Sequence, residues 1–173
     1  EQQLRDTRAT AIHILRRGLA MVRRGVDIDL LNQSRQFLAY LLYEQGNYRD
    51  AAVVGTFLAR RAPGDEMGLR GGVVALNSIR LLLAEVEEDK NDGLVQQLKT
   101  LGEYMSTTWP DDPNASGAKG VMIRLALSKD RWEEAKGMIA ELPEGPEKSS
   151  YRRLMGQLQW NESIRAKQSG DEA

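Results

Sequence analysis

The chain of 173 residues has no cysteine and one histidine, His13. Without thiols there is no disulfide framework, thiolate metal site or cysteine nucleophile. Nothing with the spacing of zinc ligands or of a Ser-His-Asp triad accompanies His13. A charge excess is missing too: Lys+Arg is 24 and Asp+Glu is 25, so no global field draws the chain toward nucleic acid or membrane. No uninterrupted apolar run reaches the roughly 18 residues that span a bilayer, and no membrane span is expected. Strand signals, alternating β-branched runs bounded by turn dipeptides, are almost absent. The chain does not begin with Met, which suits a processed protein or a piece of a longer one.

What is present is helical spacing. Apolar residues are 41% and charged residues 28% of the chain, a globular profile. Leu4, Ile12, Leu15, Leu19 and Val22 fall on one face of a first helix that Gly25 stops. A link at Asp27-Ile28-Asp29 precedes a second helix over about 30–45, with Leu31, Leu38, Leu41 and Leu42 inward. Asn47 is expected to cap a third helix, which carries Ala51, Val54, Leu58 and Ala62 and stops before Pro63.

Asp65 is expected to cap a fourth helix reaching about Glu88, with Leu69, Val73, Leu76 and Ile79 or Leu83 on its core face. Gly71-Gly72 inside it points to a helix packed close by. The acid-rich run from Glu85 to Asp92 reads as a solvated helix end and loop. The fifth helix, about 93–108, buries Leu94, Leu98, Leu101 and Met105 and ends at Trp109-Pro110. A sixth spans about 115–128. Asp130, with Glu133 three residues on, is expected to cap a seventh that ends near Leu142-Pro143. An eighth covers about 147–167, and residues 168–173 read as a frayed tail.

Two stretches align. One is Leu38-Ala39-x-x-Leu42-x-x-x-Gly46-x-Tyr48-x-x-Ala51, ending at Pro63. The other is Met122-Ile123-x-x-Ala126-x-x-x-Asp130-x-Trp132-x-x-Ala135. This resembles the tetratricopeptide repeat, in a divergent form. In that family a large–small pair sits in the first helix, an aromatic opens the second, a small residue allows close crossing, and a proline closes the unit. The resemblance covers residues 32–63 and 116–143, and 66–110 in architecture, where the unit is stretched. It implies an all-α, right-handed α-α superhelix of about three helical hairpins with extra N- and C-terminal helices, forming one domain over 1–167.

The same resemblance implies a concave face lined by the first helices. Of the family's binding positions, Gln33, Gln36, Tyr40, Tyr43, Arg70, Asn77 and Arg124 carry side chains suited to a protein or peptide partner, with tyrosine and arginine the expected anchors. Met67, Val74, Gly117, Gly120 and Leu127 occupy the remaining positions. The function implied is a non-catalytic scaffold within a larger bacterial protein or assembly. The junctions Arg60-Arg61-Ala62-Pro63 and Trp109-Pro110-Asp111-Asp112-Pro113-Asn114-Ala115 look like those of repeat proteins from the bacterial cell envelope.

Competing chemistry finds little support. Asp27-x-Asp29 and Asp111-Asp112 lack the ligand number of a calcium loop and read as turn and capping residues. No phosphate-cradling glycine motif follows a strand, so no cofactor is expected. Arg5, Arg8, Arg16, Arg17, Arg23 and Arg24 give the first helix a local basic excess, read as a solvated face without interleaved aromatics for bases. Asn32 and Asn114, each in an Asn-x-Ser sequence as is Asn161, read as helix-start caps. Trp109, Trp132 and Trp160 read as core or junction packing. Two alternatives stay open: a regulatory or nucleic-acid-associated domain using the Arg-rich helix, and an accessory domain of an enzyme lying outside this chain.

Overall fold

The structure, a computed structural model, describes residues 2–86 and 91–169, apart from the side chains at 113, 114, 116, 118 and 169. Eight helices are described: α1 (Gln2–Ala20), α2 (Ile28–Glu44), α3 (Tyr48–Arg61), α4 (Glu66–Glu85), α5 (Asp92–Thr108), α6 (Pro113–Ser128), α7 (Trp132–Ala140) and α8 (Pro146–Ser169). No strand occurs among the described residues, as the missing period-2 pattern predicts. The chain divides into two compact units, Glu1–Ala118 and Lys119–Ala173.

In the first unit α4 is the common partner: α2, α3 and α5 all pack on it, and α1 packs on α2. Leu69, Ala75, Leu76, Ile79 and Leu82 are its buried apolar residues. The predicted close approach at Gly71-Gly72 is present. A Cβ on Gly71 would stand 3.1 Å from the Gly55 carbonyl oxygen and from Leu58 Cβ, and one on Gly72 would stand 2.5 Å from Met105 Sδ. A Cβ on Gly55 would run into the Gly71 carbonyl oxygen in turn. Glycine at these positions lets α3 and α4 cross nearly backbone to backbone and lets Met105 of α5 seat on α4.

Among the described residues α4 alone is long and apolar enough to cross a membrane, and half of that stretch is buried inside the fold. Met105 of α5 meets it at Gly72 and Leu58 of α3 at Gly71, and Leu98, Leu101 and Ala59 are buried on the same two neighbouring helices. Each such large side chain contributes about 1.5–3 kcal/mol on burial. The expected end of this helix near Glu88 lies outside the described residues, as does most of the acidic run that follows.

Several helix ends differ from the sequence expectation. α1 stops at Ala20 rather than at Gly25. Met21 and Val22 beyond it are exposed, so further turns would bury nothing to offset their ordering entropy. Leu4 is exposed as well, and Ile12 is the only buried residue of the α1 stripe. α2 begins at Ile28, capped by Asp27, whose carboxylate accepts from the Asp29 N–H at 2.9 Å. Asn32 is therefore inside α2 and is no cap; it is buried and accepts from Arg35 Nη1 at 2.9 Å. Asp65 does cap α4, accepting from the Met67 N–H at 2.9 Å.

The two aligned stretches fold into the same turn. After α2, Gly46 takes φ 79°, its N–H bonds the Tyr43 carbonyl and the Asn47 N–H bonds the Leu42 carbonyl. After α6, Asp130 takes φ 54°, its N–H bonds the Leu127 carbonyl and the Arg131 N–H bonds the Ala126 carbonyl. Both are Schellman closures with a left-handed residue. The following residues, Asn47 and Arg131, share φ −83° and ψ 65°, and neither makes a side-chain cap bond. The capping roles expected of Asn47 and Asp130 are thus not those observed: Asn47 donates to the Asp50 carboxylate instead, and Asp130 supplies the left-handed backbone.

The middle helix pair spends its extra length on longer helices, 20 and 17 residues in α4 and α5 against 17 and 14 in α2 and α3. Its link, residues 86–91, is also longer than the turn at 45–47.

The second unit centres on Ile123, Ala126 and Leu127 of α6, Ala135 and Ile139 of α7, Leu142, and Tyr151 of α8, with Trp132 packed against them. Lys148 is buried among them, and its ammonium donates to the Ala140 and Leu142 carbonyls, each at 2.8 Å, and pairs with Glu144 Oε1 at 2.8 Å. It closes α7, which ends at Ala140 before the expected Leu142, by satisfying carbonyls the short helix leaves open. α8 continues through Ser169, past the expected start of the tail; residues 170–173 lie outside the described set. Residues 159–165 of it are exposed, including Trp160 and Ile164. Trp160 therefore departs from its expected packing role: at 24 residues α8 extends well beyond a nine-residue partner.

Candidate functional site

Three of the seven side chains singled out in the sequence come together. Gln36 and Tyr40 on α2 and Arg70 on α4 line one cavity of about 520 Å³, shared with Phe37, Leu69, Val73 and Val74 and bordered by Glu66 and Asp112. Their convergence follows from helical phase and packing. Gln36 and Tyr40 are one turn apart on α2, Arg70 and Val74 one turn apart on α4, and α2 packs directly on α4. Phe37 and Tyr40 are half or more exposed, at 57% and 50%, so a partner can still reach an aromatic surface here. Arg70 forms an ion pair with Glu66 one turn earlier on the same helix, which aims the guanidinium and leaves no unbalanced charge between those two groups.

The other four lie elsewhere. Gln33 is exposed on α2 outside the cavity lining, and Asn77 is half-buried on α4. Tyr43 is half-buried, packs against the cluster of Ile12, Leu38, Leu42 and Ala51, and sets its ring 5.7 Å from that of Tyr48. It is the inward member of the Tyr40–Tyr43 pair. Arg124 belongs to the second unit, where its guanidinium lies 5.8 Å from the centre of the Tyr151 ring. Gly120 sits beneath the Tyr151 hydroxyl with no room for a Cβ.

The arginines of α1 are partly used within the fold. Arg8 pairs with Glu44 at 3.1 Å, and Arg16 pairs with Asp50. Both tie α1 to the neighbouring α2 and α3. Arg5, Arg17, Arg23 and Arg24 are exposed. His13 is exposed on the same helix. No group of three His, Asp or Glu side chains suited to a metal ion occurs among the described residues.

A larger groove was not anticipated from the sequence. It measures about 830 Å³ and runs between α3 and α5 over Ile79 and Leu82 of α4. Arg49, Val53, Thr56, Phe57 and Arg60 form the α3 wall, and Leu94, Gln97 and Thr100 are on the α5 wall. Val53 and Phe57 are 69% and 50% exposed. The signal was available: they are large apolar residues one turn apart, off the buried stripe of Ala51 and Leu58. The Arg35 guanidinium of α2 lies 5.1 Å from the Phe57 ring centre, and that of Arg60 lies 5.5 Å from the Tyr104 ring centre. Burial, with the Arg61 guanidinium nearby, lowers the pKa of Arg35 from the usual arginine value; it remains a cation at neutral pH.

The α5 end beside this groove is held by Tyr104, whose hydroxyl donates to the Ala59 carbonyl at 3.1 Å and whose ring meets Trp109 edge-on at 6.0 Å. The Trp109 indole N–H is buried and has no hydrogen-bond partner. Junction packing accounts for its position.

Comparison of the chain with protein-family models, with curated proteins and with solved structures finds no match.

Proposed function

We propose that this chain is a divergent tetratricopeptide-like scaffold, a right-handed superhelical, non-catalytic module that binds a protein or peptide partner through the α2–α4 face. The observation that carries the reading is the convergence of Gln36, Tyr40 and Arg70 from two helices onto one cavity with an exposed aromatic rim. Aromatic and arginine side chains at such a rim are the usual binding hot spots. The repeat assignment draws support from the matching turns at Gly46 and Asp130, which place Tyr48 and Trp132 at equivalent positions after α2 and α6.

The test is binding by a partner captured from the source cell and then purified. Tyr40→Ala should weaken that complex about 30-fold, the loss of about 2 kcal/mol expected of a hot spot. Arg70→Ala should weaken it by less, because Glu66 already neutralises the guanidinium. A partner that binds both variants as tightly as the parent chain removes the cavity assignment. A nucleic-acid reading through α1 rests on Arg5, Arg17, Arg23 and Arg24. It requires retention on DNA or RNA that fades with salt and with substitution of those arginines.

A further inference from the structure

We infer that the α3–α5 groove is a second docking surface, and that its occupant is an acidic amphipathic helix of about three turns presented by a partner protein. The surface is independent of the α2–α4 cavity, with which it shares no lining residue.

Charge and spacing define the occupant. Among the described residues two arginines line the groove and no carboxylate does. Arg49 and Arg60 are eleven residues apart on α3, which is about three helical turns and about 16 Å along the axis, so both lie on one face. Val53 and Phe57 fall between them on that face, exposed in spite of their size. A helix lying along the groove meets the same repeat. Acids about eleven residues apart reach the two guanidinium groups, and apolar residues one and two turns inward from the first acid fill the space over Val53 and Phe57. The volume of about 830 Å³ holds a few anchoring side chains, while the body of the helix stays outside. Thr100 and Gln97 on the opposite wall supply hydrogen-bonding groups to the rim.

The binding site is tested by selecting helix-biased peptides from a displayed random library on the whole chain, then measuring synthetic winners by fluorescence anisotropy. The expected winners carry Asp or Glu ten to eleven residues apart around an apolar pair. They lose affinity tenfold or more against Arg49→Glu and against Val53→Asp, and keep it against Tyr40→Ala. Arg49 and Val53 are exposed, so both variants should retain the parent melting temperature, which is measured alongside. A charge-swapped peptide with Lys in place of the acids should recover binding to the Arg49→Glu, Arg60→Glu chain. Winners without acidic bias, or winners indifferent to Arg49→Glu and Val53→Asp, overturn the inference. Winners lost only on Tyr40→Ala overturn it in favour of the α2–α4 face.

Discussion

The crossing of α3 and α4 makes a prediction whose sign runs against helix propensity. Replacing glycine by alanine inside a helix ordinarily stabilises it by about 0.8–1.0 kcal/mol. At Gly55 the added methyl group would meet the Gly71 carbonyl oxygen, with Ala75 Cβ and N at 3.1 and 3.2 Å. These are backbone atoms and a short side chain, none of which can swing aside, so the two helices must separate. Overpacking of this kind costs about 1–3 kcal/mol, and rigid neighbours put the cost at the upper end of that range. The net expectation for Gly55→Ala is a loss of about 2 kcal/mol, or about 4–8 °C in melting temperature for a chain of this size. Gly18→Ala is the control. It lies in α1 of the same unit with nothing within 4 Å of its would-be Cβ, so it should gain about 0.5–1 kcal/mol. Urea unfolding followed by far-ultraviolet circular dichroism measures both. If Gly55→Ala stabilises the chain as Gly18→Ala does, the close crossing is wrong.

Two further predictions concern the turns and the second unit. Asp130 holds φ 54° where Gly46 serves the equivalent turn, so Asp130→Gly should raise stability by about 0.5–1 kcal/mol and Gly46→Ala should lower it by about 1–2 kcal/mol in denaturant titrations. Equal effects at the two sites would refute the left-handed assignment. Lys148→Met keeps much of the side-chain volume but strands the Ala140 and Leu142 carbonyls, and should cost about 1–3 kcal/mol by thermal melting. The Lys148 hydrogen bond and charge, aided by Arg152, hold the Glu144 carboxyl below the usual glutamate value. A depressed carboxylate stabilises the fold above its unfolded-state pKa, and that contribution disappears as pH falls through the lower folded value. The parent chain should thus lose more stability than Glu144→Gln as pH drops from 5 toward 2, and parallel curves would contradict the pairing.

Much of the fold was legible because helices announce themselves through periodicity. Leu38 and Leu42, Leu76 and Ile79, and Leu98, Leu101 and Met105 were all expected inward and are all buried. Gly71-Gly72 was legible for a different reason: a costly glycine pair in a helix makes sense only where something packs against it. Helix ends were harder. Asn47 and Asp130 have side chains that suit a cap, yet the chain uses their backbones, and side-chain chemistry does not reveal which of the two a turn requires. Aspartate stands at 130 where the first stretch has Gly46, and the backbone follows the same path.

For the candidate site, Gln36, Tyr40 and Arg70 were within reach because helical phase fixes which residues share a face. The inward turn of Tyr43 was not, since Tyr48, its ring partner, follows the intervening turn. The α3–α5 groove escaped notice because it depends on how far apart two helices stand over a third. The exposed apolar pair Val53 and Phe57 was visible on α3, but that distance is set by Met105, Gly72 and the packing of α4.

The central position of α4 also bears on how the chain is made. Translation delivers α4 after α3, so one flank of its apolar surface can be covered at once. The other flank waits for Leu98, Leu101 and Met105, which follow Leu82 by about twenty residues. At about 5–20 residues per second, that interval lasts about one to four seconds. During it, a helix with the apolarity of a membrane segment stands half covered on the nascent chain. The first unit therefore has a window of vulnerability on the ribosome that closes only when α5 arrives.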